Sequence, residues 1–184
     1  MIVVDSSAVV AILFGEPSAD ALLERLLVDP RRVMSVASYV ETGTVLAGRL
    51  RSDRVHAIED LDEFLDTTGI ILAPVDEAQA RRALRARIQF GRGMGTGGVL
   101  NFGDTFSYAL AQTHQAPLLF VGNDFATTQP SGQMSMSIEG SVPFGWTALG
   151  GKQSLRSTSR SSAAPRPCFT ANARATRLTA AGSQ

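Results

Sequence analysis

"MIVVDSSAVVAILFGEP", residues 1–17, opens on an apolar, β-branched run that stops at an acid, Asp5. Such a run reads as a short strand buried on both faces and ending at Asp5. The next stretch, "SAVVAILF", reads as a short helix that Gly15 and Pro17 terminate. A buried strand passing straight into a helix is the opening of a parallel α/β unit, and the rest of the chain repeats it. "SADALLERLLVD" is an amphipathic helix after a Ser cap, "RRVMS" a second strand, and "ASYVETGTVLAGRLR" a helix with Glu41 in its first turns. "VHAIEDLDEFLDTT" is a helix, "GIILAPV" a third strand, and "DEAQARRALRARIQF" a helix with several arginines. After the glycine-rich loop "GRGMGTGGV" come the helix "FGDTFSYALAQTH" and a last apolar strand, "APLLFVG", leading into "NDFATT". Strands separated by helices predict a central, mostly parallel sheet covered on both faces, a three-layer α/β fold. Ligands of such sheets bind outside the carboxyl ends of the strands.

The acids can now be placed. Asp5 ends the first strand, and Asp124 holds the equivalent position after the last one. Glu41 lies early in the helix after the second strand, and Asp104 starts the helix before the last strand. Any one of them alone reads as a helix cap. Four on one edge in an apolar setting cost several kcal/mol in repulsion unless a cation offsets them. An all-oxygen donor set, without Cys or His, suits Mg²⁺ or Mn²⁺. The single cysteine, Cys168, excludes an internal disulfide, and two histidines, His56 and His114, give little basis for a zinc site.

"VVDSSAVVAIL…GEP", "VETGTVLAGRL", "GGVLNFGDTFSYALA" and "PLLFVGNDFATT" resemble the four acidic blocks of PIN-domain ribonucleases of the VapC toxin type. The resemblance runs in order through residues 1 to about 130. It implies a PIN-like fold and a metal-dependent endoribonuclease, the toxin of a toxin–antitoxin pair. It further implies that Asp5, Glu41, Asp104 and Asp124 are catalytic and hold the metal, Mg²⁺ or alternatively Mn²⁺. Some relatives place the fourth acid at the position of Asn123. A cognate protein antitoxin, an RNA substrate and a homodimer follow from the same resemblance. The chain departs from the family pattern in the loop before "LNFGD", where Arg92 is the nearest cation, and in its long C-terminal extension. The rival expectation is a catalytically impaired PIN-like module that only binds antitoxin or RNA. A small-molecule phosphatase would need a second Asp two residues after Asp5, where Ser7 stands.

Smaller signals read more plainly. Ser6 and Ser7 suit helix capping, with a hydroxyl here helping to hold the site in the resembled family. Arg81, Arg82, Arg85 and Arg87 read mostly as a solvated helix face, and the glycine loop as a flexible connector. No apolar run approaches the roughly 18 residues of a membrane span, and no basic residue precedes the first apolar run. A cytoplasmic protein is expected.

Charge divides the chain. Residues 1–130 carry 16 acids against 11 bases, a net of −5, and residues 131–184 carry one acid against six bases, a net of +5. An acidic body attracts RNA only through local arginines or a metal. Residues 131–184 are rich in Ser, Thr, Ala, Gly and Arg without apolar period, which predicts a disordered C-terminal tail behind a nuclease domain of residues 1–130. The composition of that tail also suits out-of-frame translation or an added extension.

Overall fold

The computed structural model describes residues 1–50, 54–95, 97–126, 128 and 136–137. Its elements are β1 (Ile2–Val4), α1 (Ser6–Leu13), α2 (Ala19–Val28), β2 (Arg32–Ser35), α3 (Val36–Arg49), α4 (Arg54–Thr68), β3 (Ile70–Ala73), α5 (Glu77–Phe90), α6 (Asp104–His114), β4 (Leu118–Phe120) and β5 (Met136–Ser137). The strands pair in the order β3-β2-β1-β4-β5, and every pairing is parallel.

Alternation along the central strands sorts the core into two layers. Ile2, Val4, Met34 and Leu119 face a cluster with α1, α2 and α4, including Leu22, Leu26, Leu61 and Phe64. Val3, Val33, Leu118 and Phe120 face the other side, where Leu100, Leu110 and Phe125 pack. Full burial of one such side chain contributes roughly 1.5–3 kcal/mol. Helices therefore cover both faces, and the expected three-layer α/β architecture is the observed one.

The tail expectation meets one structural fact. Met136–Ser137 lies within 131–184, yet it pairs in parallel with β4 through Leu119↔Met136 and Phe120↔Ser137. The sheet thus gains its last strand beyond residue 130. The remainder of the predicted tail lies outside the described residues.

Two further local readings change. Ser18 precedes α2 without a capping hydrogen bond from its side chain. The glycine loop is no free connector, because both its ends are tied: Gly91 and Leu100 form a parallel bridge, with Arg92 N–H donating to Leu100 O and Leu100 N–H to Phe90 O. Arg87 leaves the solvated face assigned to it and donates from Nη1 to Leu100 O at 2.7 Å. Leu100, the residue before Asn101, is in this way fastened to the end of α5.

The opposite end of the sheet is held by paired charge. Arg32 at the start of β2 donates to Leu26 O, Leu27 O and Thr68 O, joining the last turns of α2 and α4. Asp29 accepts from Arg25 Nη1 and from the Met1 ammonium. Burial works against the Asp29 charge, but those two donors carry its pKa below the ordinary carboxylate value.

Candidate active site

Asp5 follows β1 and caps α1. Its Oδ2 accepts from Ser7 N–H at 3.0 Å and from Ser7 Oγ at 2.7 Å. Its Oδ1 is fully buried with no hydrogen-bond partner, although a buried carboxylate oxygen without a partner is costly. The cap reading is therefore right for one oxygen and silent about the other.

Asp104 repeats the division. Its Oδ2 accepts from Asn101 N–H at 2.6 Å, while Asp104 N–H donates to Asn101 Oδ1 at 2.9 Å. This reciprocal bond is a capping box with Asn in place of Ser or Thr and Asp in place of Glu. Oδ1 of Asp104 takes no hydrogen bond among the described residues. Both acids thus devote one oxygen to a helix start and leave the other without a hydrogen bond among the described residues.

Glu41 reaches the same space from the second turn of α3, with Oε2 accepting from Ser6 Oγ at 2.9 Å. The serines after Asp5 do more than cap: Ser6 holds Glu41, and Ser7 holds Asp5 while its Oγ accepts from Val121 N–H beyond β4. Beneath them, Ser38 and Ser107 share a buried 2.9 Å hydroxyl contact that fixes α3 against α6. Ser38 lies three residues before Glu41 and Ser107 three after Asp104, so the bond registers the helices that carry both acids. Sequence reading missed this pair and Asn101, since a lone Ser or Asn carries no mark of its partner.

Electrostatics bind the four acids into one group. Burial, with the charges of Asp5, Asp124 and Glu41, pushes the Asp104 pKa up to about 7 against the Asn101 N–H bond. Glu41 is raised too, by burial first and then by Asp5, against the Ser6 hydroxyl. Asp124 is half-buried in the turn after β4 and near enough to act on Asp104, whereas Asn123 beside it is exposed. None of the four forms an ion pair among the described residues.

A divalent cation suits this donor set chemically. Only oxygens are offered, one of them buried and unpartnered, and a positive charge would offset both the burial and the repulsion that raise the Asp104 pKa. The side chains do not form a finished cage: among the described residues no three acids or imidazoles converge as a ready ligand cluster. The fit lies in donor chemistry and open oxygens.

Phe102, two residues before Asp104, is 69% exposed, its ring edge-on to Phe106. His114 and His56 are exposed as expected.

An acid-lined carboxyl edge on a five-stranded parallel sheet defines a class, and residues 2–129 match the PIN domain family; the chain belongs to it. Among similar proteins, ribonuclease VapC42 of Mycobacterium tuberculosis is 45% identical over 126 residues, covering 68% of this chain and 94% of that protein. Ribonuclease VapC28 of the same organism is 45% identical over 127 residues, covering 68% and 92%. Among solved structures, Mycobacterium tuberculosis VapC20, titled a sarcin–ricin loop cleaving toxin, superposes with a TM-score of 0.58 at 18% identity, covering 74% of this chain and 98% of that one. VapBC2 from Rickettsia felis, bound to a fragment of promoter DNA, gives 0.55 at 17% identity over the same shares.

Proposed function

We propose that this protein is a metal-dependent endoribonuclease, the toxin of a toxin–antitoxin pair. The observation that carries the proposal is the shared edge: Asp5 with a buried unpartnered oxygen, near an Asp104 whose pKa is raised by burial and by three neighbouring acids. Relatives at 45% identity are named VapC ribonucleases. A solved neighbour is a toxin–antitoxin complex from Klebsiella pneumoniae, with a TM-score of 0.51, which supports a protein antitoxin as partner. The family resemblance supports a homodimer. No helix among the described residues is long and apolar enough to cross a membrane, and a cytoplasmic site of action suits RNA as substrate.

Asp5 and Asp104 would hold the ion through their oxygens left without hydrogen bonds, with Glu41 and Asp124 completing its shell or orienting water. Mg²⁺ when bound lowers the pKa of a water and offsets charge developing on the phosphate. Glu41, kept in place by Ser6, would orient the attacking water. The water oxygen bonds to phosphorus as the bond to the 3′ oxygen breaks. The 3′ oxygen leaves as a hydroxyl, and the other fragment keeps the 5′-phosphate.

The test is cleavage of single-stranded RNA by the full chain with Mg²⁺, with EDTA, and with Asp5→Asn. Cleavage that needs Mg²⁺ and is lost in Asp5→Asn supports the proposal. Metal-independent cleavage, or wild-type rates in Asp5→Asn, would overturn it. Antitoxin or RNA binding without any cleavage would establish the impaired-module alternative.

A further inference from the structure

Gly103 stands between two of the acids, and its backbone gives no reason for a glycine. Its φ is −64° and its ψ −44°, ordinary right-handed helical values that any residue adopts. Space is the reason. A Cβ on Gly103 would come within 2.5 Å of Glu41 Oε1, and closer still to Glu41 Cδ and Oε2. Contact that close is far inside van der Waals distance.

We infer that Gly103 is a positioning residue whose missing side chain makes the seat for the Glu41 carboxylate. The seat has two sides: Ser6 Oγ, which donates to Oε2, and the bare Cα of Gly103, against which the carboxylate lies. Glu41 reaches this point on a flexible stem from α3, so an added methyl meets the mobile end of a side chain rather than backbone. The stem gives way and the fold does not. Alanine at 103 therefore leaves the helix start intact, even favoured in backbone terms, while it pushes Glu41 off Ser6 and away from Asp5 and Asp104. Asn101 and Gly103 divide the labour of the "NFGD" turn: the first aims Asp104, and the second admits Glu41.

The metal arm of the test rests on the nuclease proposal, and the structural arm does not. Gly103→Ala, Glu41→Ala and the double variant are titrated with Mn²⁺ by calorimetry, melted in EDTA, and the Gly103→Ala crystal structure is solved. Gly103→Ala is expected to melt at or above the wild-type temperature, to bind Mn²⁺ roughly tenfold or more weakly, and to show Glu41 released from Ser6. In the Glu41→Ala background it should weaken binding no further, because its only target is gone. Wild-type affinity in Gly103→Ala, additive losses in the double variant, or failure of Gly103→Ala to fold would overturn the inference. So would a variant structure with Glu41 still on Ser6. If wild-type protein neither binds Mn²⁺ nor cleaves RNA, the nuclease proposal fails, and the variant structure alone decides the role of Gly103.

Discussion

The two ends of the sheet treat charge in opposite ways. At the amino end, Asp29 lies between Arg25 and the chain's ammonium group, and Arg32 places its guanidinium against three carbonyls. Each of these charges has a partner, and the Asp29 pKa falls below its ordinary value. At the carboxyl end, Asp5, Glu41 and Asp104 accept from serine hydroxyls and backbone N–H groups, none of the four acids pairs with a cation among the described residues, and the Asp104 and Glu41 pKa values rise. The first arrangement holds elements together. The second keeps a repulsion that a bound cation would relieve, as expected where stability is given up for function.

The largest expected effect tests that contrast directly. Asp5→Asn or Asp104→Asn should cut Mg²⁺-dependent RNA cleavage on the order of 10²- to 10³-fold, yet raise the melting temperature of the metal-free protein. For Asp104→Asn the gain above pH 7 should be roughly 2 kcal/mol. A variant that loses both activity and stability would show that the acid is structural.

Acid and base should move the two ends in opposite directions. Folded Asp104 titrates near 7 against an ordinary value of 3.8, so between these values the native state binds the extra proton. Its contribution to stability is present at low pH and is lost as pH rises from about 4 to 7. Folded Asp29 titrates below 3.8; its contribution is present above that value and is lost as pH falls through its lowered pKa. Denaturant melts of metal-free protein across this range, repeated with Asp104→Asn, should show the upper slope flatten in the variant.

A smaller effect belongs to the amino end alone. Asp29→Asn should cost about 1–2 kcal/mol, the scale of a hydrogen-bonded charge, and leave the cleavage rate per folded molecule unchanged. A fall in that rate would mean that the two ends are coupled.

The smallest effect separates aim from fold. Asn101→Ala removes half of the capping box and should cost about 1 kcal/mol, with weaker Mg²⁺ activation. Asn101→Ser, which keeps an acceptor for Asp104 N–H, should restore most of both.

What the sequence disclosed follows from the range of the forces involved. The three-layer fold was legible because buried strands such as Ile2–Val4 write their environment as continuous β-branched runs. The positions of Asp5, Glu41, Asp104 and Asp124 were legible because parallel topology sends strand ends and following helix starts to one edge. The joins between them were not. Ser38 and Ser107 lie 69 residues apart, and Val121 finds Ser7 across 114, distances at which no local pattern survives. Gly103 drew no notice in the sequence, and only the carboxylate lying on it reveals why a glycine stands there. Met136–Ser137 lacks strand chemistry of its own, since its pairing is supplied by the open edge of β4.

The bridge between Gly91 and Leu100 carries a consequence for how such a protein diverges. With both ends of the glycine loop fastened to α5, residues added between Gly93 and Gly95 would lengthen an exposed arc without shifting Asn101 or Asp104. Doubling such an arc costs only about 0.6 kcal/mol in closure entropy. The length of this loop and the placement of Asn101 and Asp104 are thereby made separately inheritable: mutation is free to rewrite one while the other stays as it was.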